Sequence, residues 1–226
     1  MKGKVSMVKG VLFDMDGLMF DTEAISRDGW EKAGREFGLP IDESVVCRLR
    51  GTNAADGDAV LRELFGNRID CDKARQIRTE YLSDTLARNG VPLKDGLTEL
   101  LGYLKKEGIP AVLATSTNRE RAMGYLRSAG VDVYFTESVC GNEVEHSKPC
   151  PDIFLRAAAK IDCAPEECMV LEDSPNGLRA GIAAGCITVM VPDLTPPTQE
   201  FYTSCYRVVH SLREVPALIR ELNGKK

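Results

Sequence analysis

The feature that most constrains this chain is a recurring pairing of short apolar runs with amphipathic helical patterns. Val8–Phe13, Ile109–Ala114, Cys168–Leu171 and Ile187–Val191 are each too short for a globular helix, and each adjoins a segment whose apolar residues recur at helical spacing. Leu97, Leu100, Leu101 and Leu104 form one such face and Gly108 closes it; Ala122, Leu126 and Ala129 form another before Gly130. Pro151 and Pro175 stand where helices begin, ahead of Ile153, Phe154, Ala157 and Ala158 and of Leu178 and Ile182. Apolar strands buried on both faces and joined by helical crossovers predict an α/β fold with a parallel sheet and helices on both faces.

Between about Thr22 and Arg88 the alternation stops. Helical patterns follow one another over Thr22–Phe37, Glu43–Leu49, Ala54–Phe65 and Lys73–Leu86, with no strand-like run between them. This predicts an all-helical insertion, residues 21–91, in an α/β core of residues 1–20 and 92–226. The insertion enters just after the first strand and leaves near Val91–Pro92, which predicts a small cap over the carboxyl ends of the strands, where open parallel sheets bind ligands. At 226 residues, one core domain with a modest insertion is the natural organisation.

Charge narrows the partners. Lys and Arg number 29 against 34 Asp and Glu, a formal charge of -5, and no basic cluster offers the footprint that nucleic acid needs. No stretch approaches a membrane span and the start has no signal-peptide pattern, so the expectation is a cytoplasmic monomer that binds neither nucleic acid nor membrane. The eight cysteines contain no CxxC pair and read as reduced, small apolar side chains; His146 and His210 have no partner at zinc-ligand spacing. The patterns GxxxxGK[ST] and GxGxxG are absent.

Chemistry-bearing residues gather where the apolar runs end. Asp14 and Asp16 follow the first run, and a bend there would bring both carboxylates to one site; alternatively Asp14 caps a helix in a solvated turn. Thr115, Ser116, Thr117 and Asn118 follow the second, as an oxyanion-binding turn or as plain helix capping. Lys148 lies in a segment stiffened by Pro149 and Pro151, a rigidly held cation or a surface lysine. Glu172 and Asp173 end the third run, and hard carboxylate oxygens at 14, 16 and 173 are what Mg2+ prefers.

Taken in order, VLFDMDGLMFDTE (11–23), LATSTN (113–118), SKPCPDIF (147–154) and LEDSPNGLRAGIAAG (171–185) resemble the four motifs of the haloacid dehalogenase superfamily, in the group of beta-phosphoglucomutase-like phosphatases. The resemblance implies a Rossmann-like core with a mobile helical cap. It implies Asp14 as nucleophile and Asp16 as general acid and base, with the Asp16 carbonyl also on Mg2+. It implies Thr115 and the Ser116 amide on the phosphoryl oxygens, Lys148 stabilising their charge, and Asp173 with Glu172 completing the metal site. In the mutase that names the group, the cap supplies a histidine and an arginine; the aligned positions here hold Ser26 and Ala54. Glu23, Arg50 and Asn53 remain as polar cap residues to meet a substrate. The expectation is a magnesium-dependent phosphatase acting on a small phosphorylated metabolite, with a phosphohexomutase as the alternative and a non-catalytic phosphate-binding module as a further one.

Overall fold

In the computed structural model, which describes residues 7–50, 52 and 54–224, the chain divides into two compact units: Met1–Phe20 with Leu93–Lys226, and Asp21–Pro92. The first holds a six-stranded sheet. Its strands are β1 (Gly10–Phe13), β2 (Ala111–Thr115), β3 (Phe135–Cys140), β4 (Cys168–Glu172), β5 (Ile187–Met190) and β6 (Arg207–Val208), in the order β3-β2-β1-β4-β5-β6, all pairs parallel. This order steps one way from β1 to β3 and the other way from β4 to β6. With right-handed crossovers it puts helices on both faces of the sheet and opens a crevice between β1 and β4 at the carboxyl edge.

The four apolar runs become β1, β2, β4 and β5, every residue of which is buried. Helix α5 (Leu97–Glu107) buries its four leucines and stops at Gly108, whose left-handed backbone lets its amide reach the last carbonyls. Helices α6 (Arg119–Ser128), α7 (Asp152–Lys160) and α8 (Pro175–Ala183) make the crossovers, and α9 (Gln199–Ser204) and α10 (Val215–Leu222) complete the unit. Ile153, Phe154, Ala157 and Ala158 of α7 pack with Leu12, Val112 and Val170 of the sheet in one apolar cluster.

Two strands go unannounced in the sequence. β3 is an edge strand, and Phe135–Ser138 remain partly or fully accessible, so it carries no continuous apolar run. β6 has two residues, too few for any pattern.

The second unit comprises α1 (Glu23–Phe37), α2 (Glu43–Leu49), α3 (Ala54–Phe65) and α4 (Cys71–Asn89), and no strand occurs among its described residues. Trp30, Ala33, Val46, Leu49, Leu61, Phe65 and Ala74 are among its core residues. Helix α4 begins two residues before the apolar pattern does, because Asp70 accepts a hydrogen bond from Lys73 N and caps it. At the junctions Phe20 pairs with Leu93, and Asp21 N donates to Pro92 O at 3.0 Å. All eight cysteines are free thiols, and no described helix is long and apolar enough to cross a membrane.

Candidate active site

The sheet register builds the site. Phe13 of β1 sits beside Leu113 of β2 and Leu171 of β4, so the next residue on each strand, Asp14, Ala114 and Glu172, emerges at one point of the carboxyl edge. Asp14 N donates to Leu171 O at 3.1 Å and holds the first residue of the loop against β4. Lys148 reaches this point from the segment before α7. Its Nζ donates to Asp14 Oδ1 at 2.5 Å, to Glu172 Oε1 at 2.7 Å and to Ala114 O at 3.1 Å. The lysine is 4% exposed and its ammonium lies 5.0 Å from the centre of the Phe154 ring. A buried lysine must find compensating partners, and here all three donors of the ammonium are used.

Asp14 therefore does not cap a helix, and Lys148 is not a surface residue. Asp173 is buried beside them, and carboxylate oxygens of Asp14, Glu172 and Asp173 lie within 4.8 Å of one another. Burial pushes the Asp14 carboxyl up, to about 8, against the pull of Lys148 and with added repulsion from Glu172. Burial alone would lower Lys148, but Asp14 and then Glu172 outweigh it and hold the ammonium charged, above its ordinary value. Three carboxyl groups with oxygens so close together offer the hard donors that suit a divalent cation such as Mg2+.

Glu172 has little left to offer an ion. Oε1 accepts from Lys148, and Oε2 accepts from the backbone amides of Asp173 and Ser174 and from the Ser174 hydroxyl. It links the lysine to the start of α8, where Ser174 Oγ also accepts from Gly177 N as the helix cap. Asp173 lies against Gly17, whose φ of +85° is a left-handed conformation and where any Cβ would run into the Asp173 carboxylate.

The segment after β2 contributes hydroxyls. Thr115 is buried and its Oγ1 accepts from Thr117 N at 3.1 Å; Thr117 Oγ1 donates to Asp16 Oδ2 at 2.8 Å. Asn118 takes the capping role, accepting from Arg121 N, so the run Thr115–Asn118 divides between the site and the helix terminus. Ser116, exposed, is backed by Gly141 just after β3: a Cβ there would overlap the Ser116 carbonyl, and Gly141 N donates to Thr117 O at 3.1 Å. A fork from Arg119 to both oxygens of Glu143, at 3.0 and 2.9 Å, ties the segments after β2 and β3 together. Sequence patterns did not single out Gly141 or the Arg119–Glu143 pair, because their roles depend on β3, which the patterns do not reveal; they marked Thr117 only as one of a run of hydroxyl and amide donors, without its link to Asp16.

The structure thus brings together Asp14, Lys148, Glu172 and Asp173, and links Asp16 and Thr115 through Thr117, with Ser116 exposed between the two threonines. Glu23 and Arg50 belong to the helical unit. Arg50, 6% exposed at its side chain, pairs with Glu43 at 2.5 Å and Glu23 at 3.7 Å, so it is an interior ion-pair residue and not a solvated one. Asn53 lies outside the described residues. Ser26, at the position of the mutase histidine, accepts from Arg78 Nε at 2.9 Å and Nη2 at 2.7 Å.

The fold and site define a doubly wound α/β protein with a buried carboxylate and lysine centre at its topological switch point. A match to the haloacid dehalogenase-like hydrolases covers residues 8–185. Hexitol phosphatase A of Escherichia coli is 32% identical over 222 residues, 96% of this chain and 96% of that protein. The phosphorylated carbohydrates phosphatase of Thermotoga maritima is 29% identical over 94% of this chain and 90% of its own length. Among solved structures, CbbY from Rhodobacter sphaeroides in complex with phosphate superposes with a TM-score of 0.78 at 26% identity, over 92% of this chain and 96% of that one. The chain belongs to the haloacid dehalogenase-like hydrolases, and within them it is a phosphatase.

Proposed function

We propose that this enzyme hydrolyses monophosphate esters of small sugars or sugar alcohols in a Mg2+-dependent reaction through an aspartyl phosphate on Asp14. The observation that carries the reading is the position of Asp14: a buried carboxylate held by Lys148 at the carboxyl end of β1, beside the acidic pair that ends β4. The substrate class is favoured by the relatives, two of which are named for carbohydrate and hexitol phosphates.

Asp14 and Asp173, with the Asp16 carbonyl, would hold the Mg2+, and Glu172 would support them from behind. Such an ion would supply positive charge to keep Asp14 ionised and to offset the charge of the phosphoryl oxygens. Asp14 then attacks phosphorus while Asp16 gives its proton to the departing ester oxygen. In the second half Asp16 takes a proton from water, whose oxygen attacks phosphorus, releasing phosphate and restoring the Asp14 carboxylate. The Thr115 hydroxyl and the Ser116 amide bind phosphoryl oxygens, and Lys148 stabilises their growing charge.

The helical unit acts as the family's cap, with Glu23, Arg50 and Asn53 as the candidates for specificity. Hydrolysis is preferred to phosphohexomutase chemistry because Ser26 and Ala54 stand where the mutase has its cap histidine and arginine, and Ser26 is already engaged by Arg78. The test is phosphate release from a panel of hexose, hexitol and pentitol phosphates, with Mg2+ and after EDTA treatment, run beside an isomer assay on hexose 1-phosphates. Release that EDTA abolishes and Mg2+ restores is expected. Isomer formation without phosphate release would reverse the choice.

A further inference from the structure

We infer that Thr117 is a positioning residue for Asp16: its hydroxyl holds one carboxyl oxygen and so fixes the orientation in which Asp16 meets the leaving group. The inference rests on the acid and base role proposed above for Asp16 and extends it to a residue outside that set.

The geometry is specific. Thr117 Oγ1 donates to Asp16 Oδ2 at 2.8 Å, between residues 101 positions apart. Both ends of this bond are pinned. On one side, Thr117 N donates to Thr115 Oγ1 at 3.1 Å, its carbonyl accepts from Gly141 N at 3.1 Å, and Arg119 is locked onto Glu143. On the other, Asp16 bridges to Phe20, and Gly17 N donates to Phe20 O at 2.9 Å.

A carboxyl group has two chemically equivalent oxygens, and rotation about Cβ–Cγ exchanges them. A hydroxyl bonded to Oδ2 removes that equivalence, because a rotation that exchanged the two oxygens would break the bond. In the first half-reaction the Asp14–phosphorus bond forms, the bond from phosphorus to the ester oxygen breaks, and the Asp16 proton passes to that oxygen. In the second, Asp16 takes a proton from the attacking water as the Asp14–phosphorus bond breaks. Thr117 keeps its own proton throughout, so it acts through Asp16 alone. Holding an acid in one orientation is part of what makes its proton transfer effective.

Such a role has a signature that a structural role lacks. An alkyl alcohol must be protonated as it leaves, whereas p-nitrophenolate departs without a proton. The experiment measures kcat/KM for glycerol 3-phosphate and for p-nitrophenyl phosphate in the parent, Thr117→Val, Thr117→Ser and Asp16→Asn. The ratio of the two is independent of how much of a variant is folded. Thr117→Val is expected to lower that ratio by about tenfold, a part of the 10²–10⁴ that a positioned acid contributes, and Thr117→Ser to bring it back near the parent. A ratio shifted by Asp16→Asn but unchanged by Thr117→Val would overturn the inference and leave the acid role standing. A ratio unchanged by Asp16→Asn would overturn the acid role and the inference with it.

Discussion

Lys148 Nζ donates to Asp14 Oδ1 at 2.5 Å across 134 positions of sequence, and the same ammonium reaches Glu172 at 2.7 Å. One cation therefore joins the ends of β1 and β4 on either side of the crevice. Removing it leaves two buried carboxylates facing each other. Lys148→Met should depress phosphate release from every substrate alike and destabilise the fold by about 3–5 kcal/mol, the cost of leaving buried charge unpaired. Steady-state kinetics over the substrate panel and urea denaturation check the two effects.

Asp14→Asn keeps the volume of the side chain and removes the nucleophile. Turnover should fall by at least about a thousandfold, on the scale of losses when a covalent nucleophile is replaced, while the thermal transition persists. A burst of labelled aspartyl phosphate on rapid acid quench should be present in the parent and absent in the variant. Turnover within tenfold of the parent would refute the assignment.

Asp173→Asn should weaken Mg2+ binding, because one of three clustered carboxylates is lost. Titration calorimetry with Mg2+ alone reads this directly. Gly17→Ala should act in the same direction, since its Cβ would displace the Asp173 carboxylate. Equal Mg2+ affinity in parent and Asp173→Asn would exclude Asp173 as a ligand.

Gly141→Ala tests the support behind Ser116. The new methyl group must push on the Ser116 carbonyl, so the phosphate-binding segment moves. Inhibition by inorganic phosphate should weaken several-fold while the melting temperature falls by only a few degrees, about 1 kcal/mol in a chain of this size.

His146 gives a pH-dependent prediction. Its ring nitrogen lies 3.0 Å from Asp152 Oδ1, and this bond pushes the histidine up from 6.5, followed in effect by the charges of Asp152 and Glu145. A raised histidine contributes stability that is full below 6.5 and lost as pH rises through its folded value. Asp152 is pushed down from 3.8 chiefly by the same bond, so its share is lost as pH falls below 3.8. The stability difference between the parent and His146→Asn should therefore be larger near about pH 6 than near about pH 8. The pair is solvent-exposed, so the effect is small. A difference independent of pH would show that the pair does not form.

The parallel sheet and the family were legible in the amino-acid sequence. Strands β1, β2, β4 and β5 are buried on both faces, and two-sided burial demands a continuous apolar run that composition cannot hide. The motif carboxylates were legible for a related reason: they stand just after such runs, where polar groups are costly unless used, whereas Lys148 was marked only by the prolines that stiffen its segment. The edge strand β3, half open to solvent, left no such trace, and so Gly141 and the Arg119–Glu143 brace were invisible. Only tertiary structure decided between helix cap and site for Asp14, and divided Thr115–Asn118 between the two. It alone joined Thr117 to Asp16 and enclosed Arg50 between Glu23 and Glu43. Periodicity records which face of an element is buried, whereas a hydrogen bond between residues a hundred positions apart depends on register and loop geometry, which no local pattern encodes.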